Sequence, residues 1–194
     1  VMAAKFLKRR CAVFFNSPIL RFVIDGEDFY PDLAEIHQIL QKVIPKLERN
    51  KVVLAIENHD RFSACEFAEM VEKAESDNVA ICLDTVNSMG AGEGFETVTG
   101  RLARLAVNLH VKEFTVKRVF HKMGFLIEGC PLGQGMLQVS ELVVLVSDRC
   151  KSAILEQWTP PERTIDATIE KEAAWAVKST AYLKSILNKN HKNR

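Results

Sequence analysis

Four short apolar runs in this chain each stop at a residue able to bind a metal ion or move a proton: LAIE at Glu57, AICLD at Asp84, VNLH at His110 and AILE at Glu156. If each run is a parallel strand, its C-terminal end opens onto a shared face, where the active sites of parallel α/β folds lie. That face then gathers Glu57, Asp84, Glu156 and the imidazole of His110 at one point. Carboxylates crowded into a cleft repel one another and lose hydration, and a divalent cation is the simplest compensation. An oxygen-rich set with one nitrogen favours Mn²⁺, Mg²⁺ or Co²⁺ in roughly octahedral coordination, with positions left for substrate oxygens. Zinc is the second choice, since no cysteine belongs to the set. Taken singly, an acid at a strand end is more often a helix cap or an ion-pair partner, and a lone histidine a satisfied core residue. The recurrence in phase on successive runs makes one shared ion the expectation.

Other polar residues lie within reach of the same face. Asn58 and His59 follow Glu57 and are candidates to hydrogen-bond hydroxyl groups, with a plain polar loop pair as the alternative. Lys112 stands two residues past His110 and so shares its face of an extended strand, where an ammonium stabilises an oxyanion or binds a phosphate or carboxylate. Arg118 and His121 are candidates to meet an acidic substrate group, against the alternative of a solvated loop. Trp158 reads as an apolar wall or as core, and the glycines flanking Gln134 as a loop over the mouth.

The elements that must position these groups alternate. Runs 19–25, 52–58, 79–85, 106–114 and 152–158 are rich in Val, Ile, Leu and Phe with little polar alternation, as in parallel strands covered on both faces. Between them lie helical patterns. Residues 32–49 carry Leu33, Ile36, Leu40, Val43 and Leu47 on one stripe, with Pro45 expected to kink or shorten the helix. Ser63 with Glu66 forms a capping box ahead of Phe67, Met70, Val71 and Ala74. Shorter helices are expected over 94–105 and 139–149. A last one is expected from about Asp166 to Leu187, with Ile169, Ala173, Ala176, Val177, Leu183 and Leu187 facing inward. The stretch 115–138, rich in charge and glycine, interrupts the rhythm as a long insertion. Strand–helix alternation of this kind predicts an α/β fold with a parallel sheet.

The bulk numbers fit one domain over 1–194, with a polar tail over 188–194. The chain is 47% hydrophobic and 26% charged, with a net charge of +1, which argues against a surface built for nucleic acid or anionic membrane. Five scattered cysteines without a CxxC pair suit reduced thiols. No apolar run reaches the roughly 18 residues of a bilayer span. The opening VMAAKFLKRRCAVFF does not read as a secretory signal, so a cytoplasmic location is expected.

The strings LAIENHDRF, ICLDTVNS, NLHVKEF with the downstream GCPLGQG, and ILEQWTPP resemble the second half of the xylose isomerase-like TIM barrel family of sugar isomerases and epimerases. The resemblance runs from about Ile19 onward. It implies a parallel (β/α) barrel that is incomplete here, about five of eight strand–helix units, with ILRFVID similar to the fourth strand. It further implies that Glu57 and Glu156 act as acid and base while binding the ion, with Asp84 and His110 mainly ligands, and that Asn87 contacts substrate. The function so implied is divalent-metal-dependent isomerisation or epimerisation of a keto sugar or sugar acid through an enediolate. Three alternatives stand beside it: decarboxylation or dehydration of an oxo-sugar acid, a truncated barrel that binds without turnover, and an apurinic-site endonuclease. The last is disfavoured, because such relatives carry a histidine at the position of Asn87 and an Asn-Asp pair at Lys112-Glu113. The expected partner is a small sugar or sugar acid, with the missing units completed by a second copy or a further segment.

Overall fold

A computed structural model describes residues 17–26, 28–146 and 148–192. The opening residues read above for a signal, Cys11 among them, and the end of the polar tail lie outside this range.

Five strands form one parallel sheet: β1 (Ile19–Phe22), β2 (Val53–Glu57), β3 (Val79–Asp84), β4 (Ala106–Val111) and, after a hairpin, β7 (Ser152–Leu155). They lie side by side in chain order. The connecting helices are α1 (Leu33–Asn50), α2 (Ala64–Glu72), α3 (Phe95–Leu102), α4 (Val139–Leu145) and α5 (Ile165–Lys192). Five successive strand–helix units thus curl as part of a (β/α) barrel. β3 and β4 are buried along their whole length, as the continuous apolar runs predict for strands covered on both faces.

Alternation along each strand sorts the side chains into two layers. Ile56, Ile81, Leu83, Leu109 and Val111 join Leu40, Phe67, Leu102 and Leu142 in the core between sheet and helices. On the opposite, concave face Ala55, Ala80, Cys82 and Val107 form a thin layer of mostly small residues beneath the C-terminal strand ends.

One irregularity sets the alignment of the site. Ile81 pairs with Ala106 but Cys82 with Asn108, so β4 carries one extra residue at that point. A one-residue slip moves every later side chain to the other face. The bulge therefore brings His110, rather than Leu109, level with Asp84.

Local chemistry fixes the helix starts. Asp32 with Glu35 caps α1, and Ser63 with Glu66 caps α2 as the sequence predicts; in each pair the first side chain accepts from the second residue's N–H and the second carboxylate returns to the first backbone. Two expectations are corrected. The α1 helix is not shortened at Pro45 but runs through it to Asn50, with Pro45 on the solvent side while Ile36, Leu40 and Ile44 hold the buried stripe. Along α5, Ile169, Ala173 and Val177 are exposed, and the buried positions are Ser179, Leu183 and Ile186. An apolar stripe is buried only where a neighbour covers it, and over the first half of α5 the segment 157–160 meets the helix at Lys171 and Glu172 instead of at these three positions.

The insertion is not irregular. β5 (Phe114–Arg118) and β6 (Phe125–Gly129) form an antiparallel hairpin. Its base closes tightly, since a Cβ on Gly129 would lie 1.6 Å from the Trp158 carbonyl oxygen. The following loop is tied down by buried Glu113, whose carboxylate accepts from the backbone N–H groups of Phe114 (3.1 Å), Gly133 (3.0 Å) and Leu137 (2.8 Å).

Candidate metal centre

Glu57 and Asp84 end β2 and β3, His110 is the penultimate residue of β4, and Glu156 follows β7 with its N–H bonded to the Val111 carbonyl. Asp84 is level with His110, Glu57 with Cys82 and His110 with Ile154, so the four residues are staggered along neighbouring strand ends, yet one ligand atom from each of the four side chains lies within 4.8 Å of all the others. Glu57, Asp84 and His110 are buried, and the Glu156 side chain is 39% exposed.

Each carboxylate is held by neighbouring donors and cations. Asp84 Oδ1 accepts from the backbone N–H groups of Val86 and Asn87, both at 2.8 Å. Glu57 Oε1 lies 3.2 Å from His110 Nδ1, which is also 3.2 Å from Glu156 Oε2. Glu57 Oε2, Asp84 Oδ2 and Glu156 Oε2 are buried and have no aligned hydrogen bond. They have cations at ion-pair distance instead: Arg21 Nε is 2.6 Å from Glu57 Oε2, and Lys112 Nζ is 2.9 Å from Asp84 Oδ2 and 3.1 Å from Glu156 Oε2. Side-chain cations thus hold all three oxygens, and a divalent ion is a further way to balance three carboxylates gathered with an imidazole within 4.8 Å. The quartet fits such an ion in number, charge and donor type.

The charges tune one another. Burial would raise the Glu57 carboxyl, but the His110 hydrogen bond and then the Arg21 charge outweigh it and hold the group below its ordinary value. The same hydrogen bond raises the His110 imidazole against the opposing effect of burial, with Glu57 and Glu156 adding to the rise. Burial, the largest single influence, would lower the Lys112 ammonium, yet the charges and hydrogen bonds of Asp84 and Glu156 together outweigh it and raise it.

Around the quartet the sequence-derived residues divide. Asn87 and Lys112 are at the site: Lys112 Nζ donates to Asn87 Oδ1 at 3.0 Å, and Asn87 Nδ2 donates to Glu57 Oε1 at 3.4 Å. His59 stands at its rim, with Nε2 4.0 Å from Glu57 Oε1. Trp158 is 43% exposed at the hairpin base, two residues past Glu156. Arg118 and His121 are drawn into the hairpin instead. Arg118 donates to the Lys122 carbonyl and lies over Phe125, while His121 accepts from the Met123 N–H and packs edge-on against Phe120.

The sequence reading assigned one neighbouring residue a different place and missed another. Asn58 is fully buried, and its side chain clamps Asp84 rather than facing solvent: Oδ1 accepts from Asp84 N–H at 2.7 Å, while Nδ2 donates to the Asp84 carbonyl at 3.0 Å and to Ser88 Oγ at 2.9 Å. Arg21 is the other. A charge inside the apolar run ILRFVID, in register with Ala55 of the concave face, was the signal that could have found it.

Comparison with known proteins agrees with this geometry. The xylose isomerase-like TIM barrel family matches residues 4–185. This chain belongs to that family. It is 29% identical over 166 residues to 3-oxo-isoapionate decarboxylase of Pectobacterium atrosepticum, a match covering 84% of this chain and 60% of that protein. The xylose isomerase domain protein of Planctomyces limnophilus superposes with a TM-score of 0.65 at 18% identity, over 91% of this chain and 62% of the other. An L-ribulose 3-epimerase superposes with a TM-score of 0.60 at 15% identity, over 96% of this chain and 69% of its own. The chain thus spans about three-fifths of the curated relative it matches, and its relatives are sugar-handling enzymes. Among the described residues no helix is long and apolar enough to cross a membrane.

Proposed function

We propose that this site serves divalent-metal-dependent proton transfer on a keto sugar or sugar acid through an enediolate. The observation that carries the reading is the quartet itself, three carboxylates and one imidazole whose ligand atoms lie within 4.8 Å of one another. A bound divalent ion would polarise the substrate's carbonyl and hydroxyl oxygens. Glu57 and Glu156 are then the acid–base pair. One takes the proton from the carbon beside the carbonyl, and the other returns a proton to the neighbouring carbon or to the opposite face. Glu156 is the more open of the two and the better placed to exchange its proton with water. Lys112, held by Asp84, Glu156 and Asn87, sets a fixed positive charge where an oxyanion develops.

A second reading is favoured by the decarboxylase relative, whose substrate name is that of an oxo-sugar acid. Loss of carbon dioxide from a carbon next to a carbonyl yields an enediolate too, so the same residues serve both outcomes. The Mn²⁺-loaded chain is assayed against keto sugars and oxo-sugar acids, wild type beside Glu156→Gln, following proton exchange and carbon dioxide release. A fall of about 10² or more in the variant is expected for the loss of one general acid–base group. Equal turnover in both proteins removes the acid–base assignment. Carbon dioxide release without epimerisation selects the second reading.

A further inference from the structure

The metal reading leaves Arg21 unexplained. Its guanidinium carries five N–H donors. Among the described residues its one contact is Nε against Glu57 Oε2, where that oxygen has no aligned hydrogen bond. Its side chain is 45% exposed. An arginine kept only to neutralise a buried carboxylate is expected to grip it through a bidentate fork, the geometry that makes such pairs strong. Arg21 touches Glu57 at one edge and keeps its remaining donors for something else.

The charge of the site says what that is. Glu57, Asp84 and Glu156 exceed a dication by one negative charge, while Arg21 and Lys112 supply two positive ones beside them. With the ion bound, the cluster carries one positive charge in excess, in a setting where the buried ligands screen poorly. A neutral keto sugar leaves that charge uncompensated, and a phosphate near two negative charges overshoots it. One carboxylate matches it. Lys112 already donates to Asn87 and faces two carboxylates, so the open donors are those of Arg21.

We propose that Arg21 is the residue that selects a substrate bearing a single carboxylate, a sugar acid, by binding that carboxylate beside the metal quartet. The inference rests on the metal-dependent reading above and narrows its substrate class. It also makes Arg21 a contact to substrate rather than a support for Glu57.

The test is calorimetric and needs no turnover. The chain is titrated with L-threonate, with erythritol as the neutral four-carbon polyol, and with inorganic phosphate, each with and without Mn²⁺, in wild type, Arg21→Met and Arg21→Lys. Wild type with Mn²⁺ is expected to bind threonate at least tenfold tighter than erythritol. Arg21→Met, measured with saturating Mn²⁺, should lose tenfold or more for threonate while erythritol affinity stays within threefold, and Arg21→Lys should recover part of the loss. The inference is overturned by an unchanged threonate affinity in Arg21→Met, by erythritol affinity falling in step with it, or by phosphate outcompeting threonate. Wild type that takes up no Mn²⁺ removes the proposed function. Mn²⁺ uptake without an Arg21-dependent preference for threonate removes this inference and leaves the proposed function standing.

Discussion

At the scale of single residues, the site depends as much on what orients a ligand as on the ligand. Asn58 illustrates this. Its side chain spans from the end of β2 to both backbone groups of Asp84 and to Ser88 Oγ, so Asp84 is fixed in place from the neighbouring strand. Asn58→Ala leaves a buried N–H and carbonyl without partners, at about 1 to 3 kcal/mol for each such group. A drop of about 2 to 4 kcal/mol in unfolding free energy is expected, with weaker Mn²⁺ binding as Asp84 loses its anchor. Chemical denaturation and Mn²⁺ titration of the variant check this, and wild-type values in both would show Asn58 to be a spectator. The four converging side chains were legible in the sequence because each ends an apolar run. Asn58 was not, since an asparagine after a strand reads equally well as a solvent-facing loop residue. Only burial reveals that its hydrogen bonds are consumed within the fold.

At the scale of elements, the sequence signals that proved reliable were the short-range ones. Continuous apolar runs marked all five parallel strands, and the Ser63–Glu66 spacing marked the start of α2. The bulge in β4 left no comparable mark, because Val107 is as good a strand residue as its neighbours and the slip exists only in pairing with β3. The hairpin over β5 and β6 was hidden by its composition: Phe120, Met123 and Phe125 are exposed, so no alternation of buried and solvated positions announces the strands. The α2 cap yields a prediction confined to its element. Ser63→Ala should cost about 1 kcal/mol, the usual value of a lost N-cap. Its reciprocal partner adds a pH signature. The hydrogen bonds from Ser63 hold the Glu66 carboxyl below its ordinary value. A carboxylate with a depressed folded pKa contributes stability above its unfolded pKa and loses it as pH falls through the folded one. The backbone N–H bond to Glu66 is common to both proteins, so the deficit of Ser63→Ala should shrink in acid only by the share the Ser63 hydroxyl adds, and a difference that stays constant from neutral pH down to the acid transition would rule out this account of the cap.

At the scale of the whole molecule, stability and function meet in the charge of the concave face. Without an ion, three carboxylates within reach of one another are held by Arg21, Lys112 and His110. With one, the same groups grip a dication present in the folded chain and absent from the unfolded one, so binding feeds directly into stability. At an ion concentration about a hundredfold above the dissociation constant the gain is about 2.7 kcal/mol. That corresponds to a rise of roughly 5 to 10 °C in melting temperature for a chain of this size. Asp84→Asn separates the ion's contribution from that of the fold. An asparagine keeps the Oδ1 acceptor used by the Val86 and Asn87 N–H groups, and Lys112 retains Glu156 as a counter-charge. The metal-free variant should therefore melt close to metal-free wild type, while losing most of the shift on adding Mn²⁺. Thermal melts of both proteins with chelator and with Mn²⁺ decide the matter. If Asp84→Asn collapsed without any ion, the carboxylate would be a structural keystone. If it kept the full Mn²⁺ shift, the ion would sit elsewhere, and the crowding of acids at these strand ends would need another explanation.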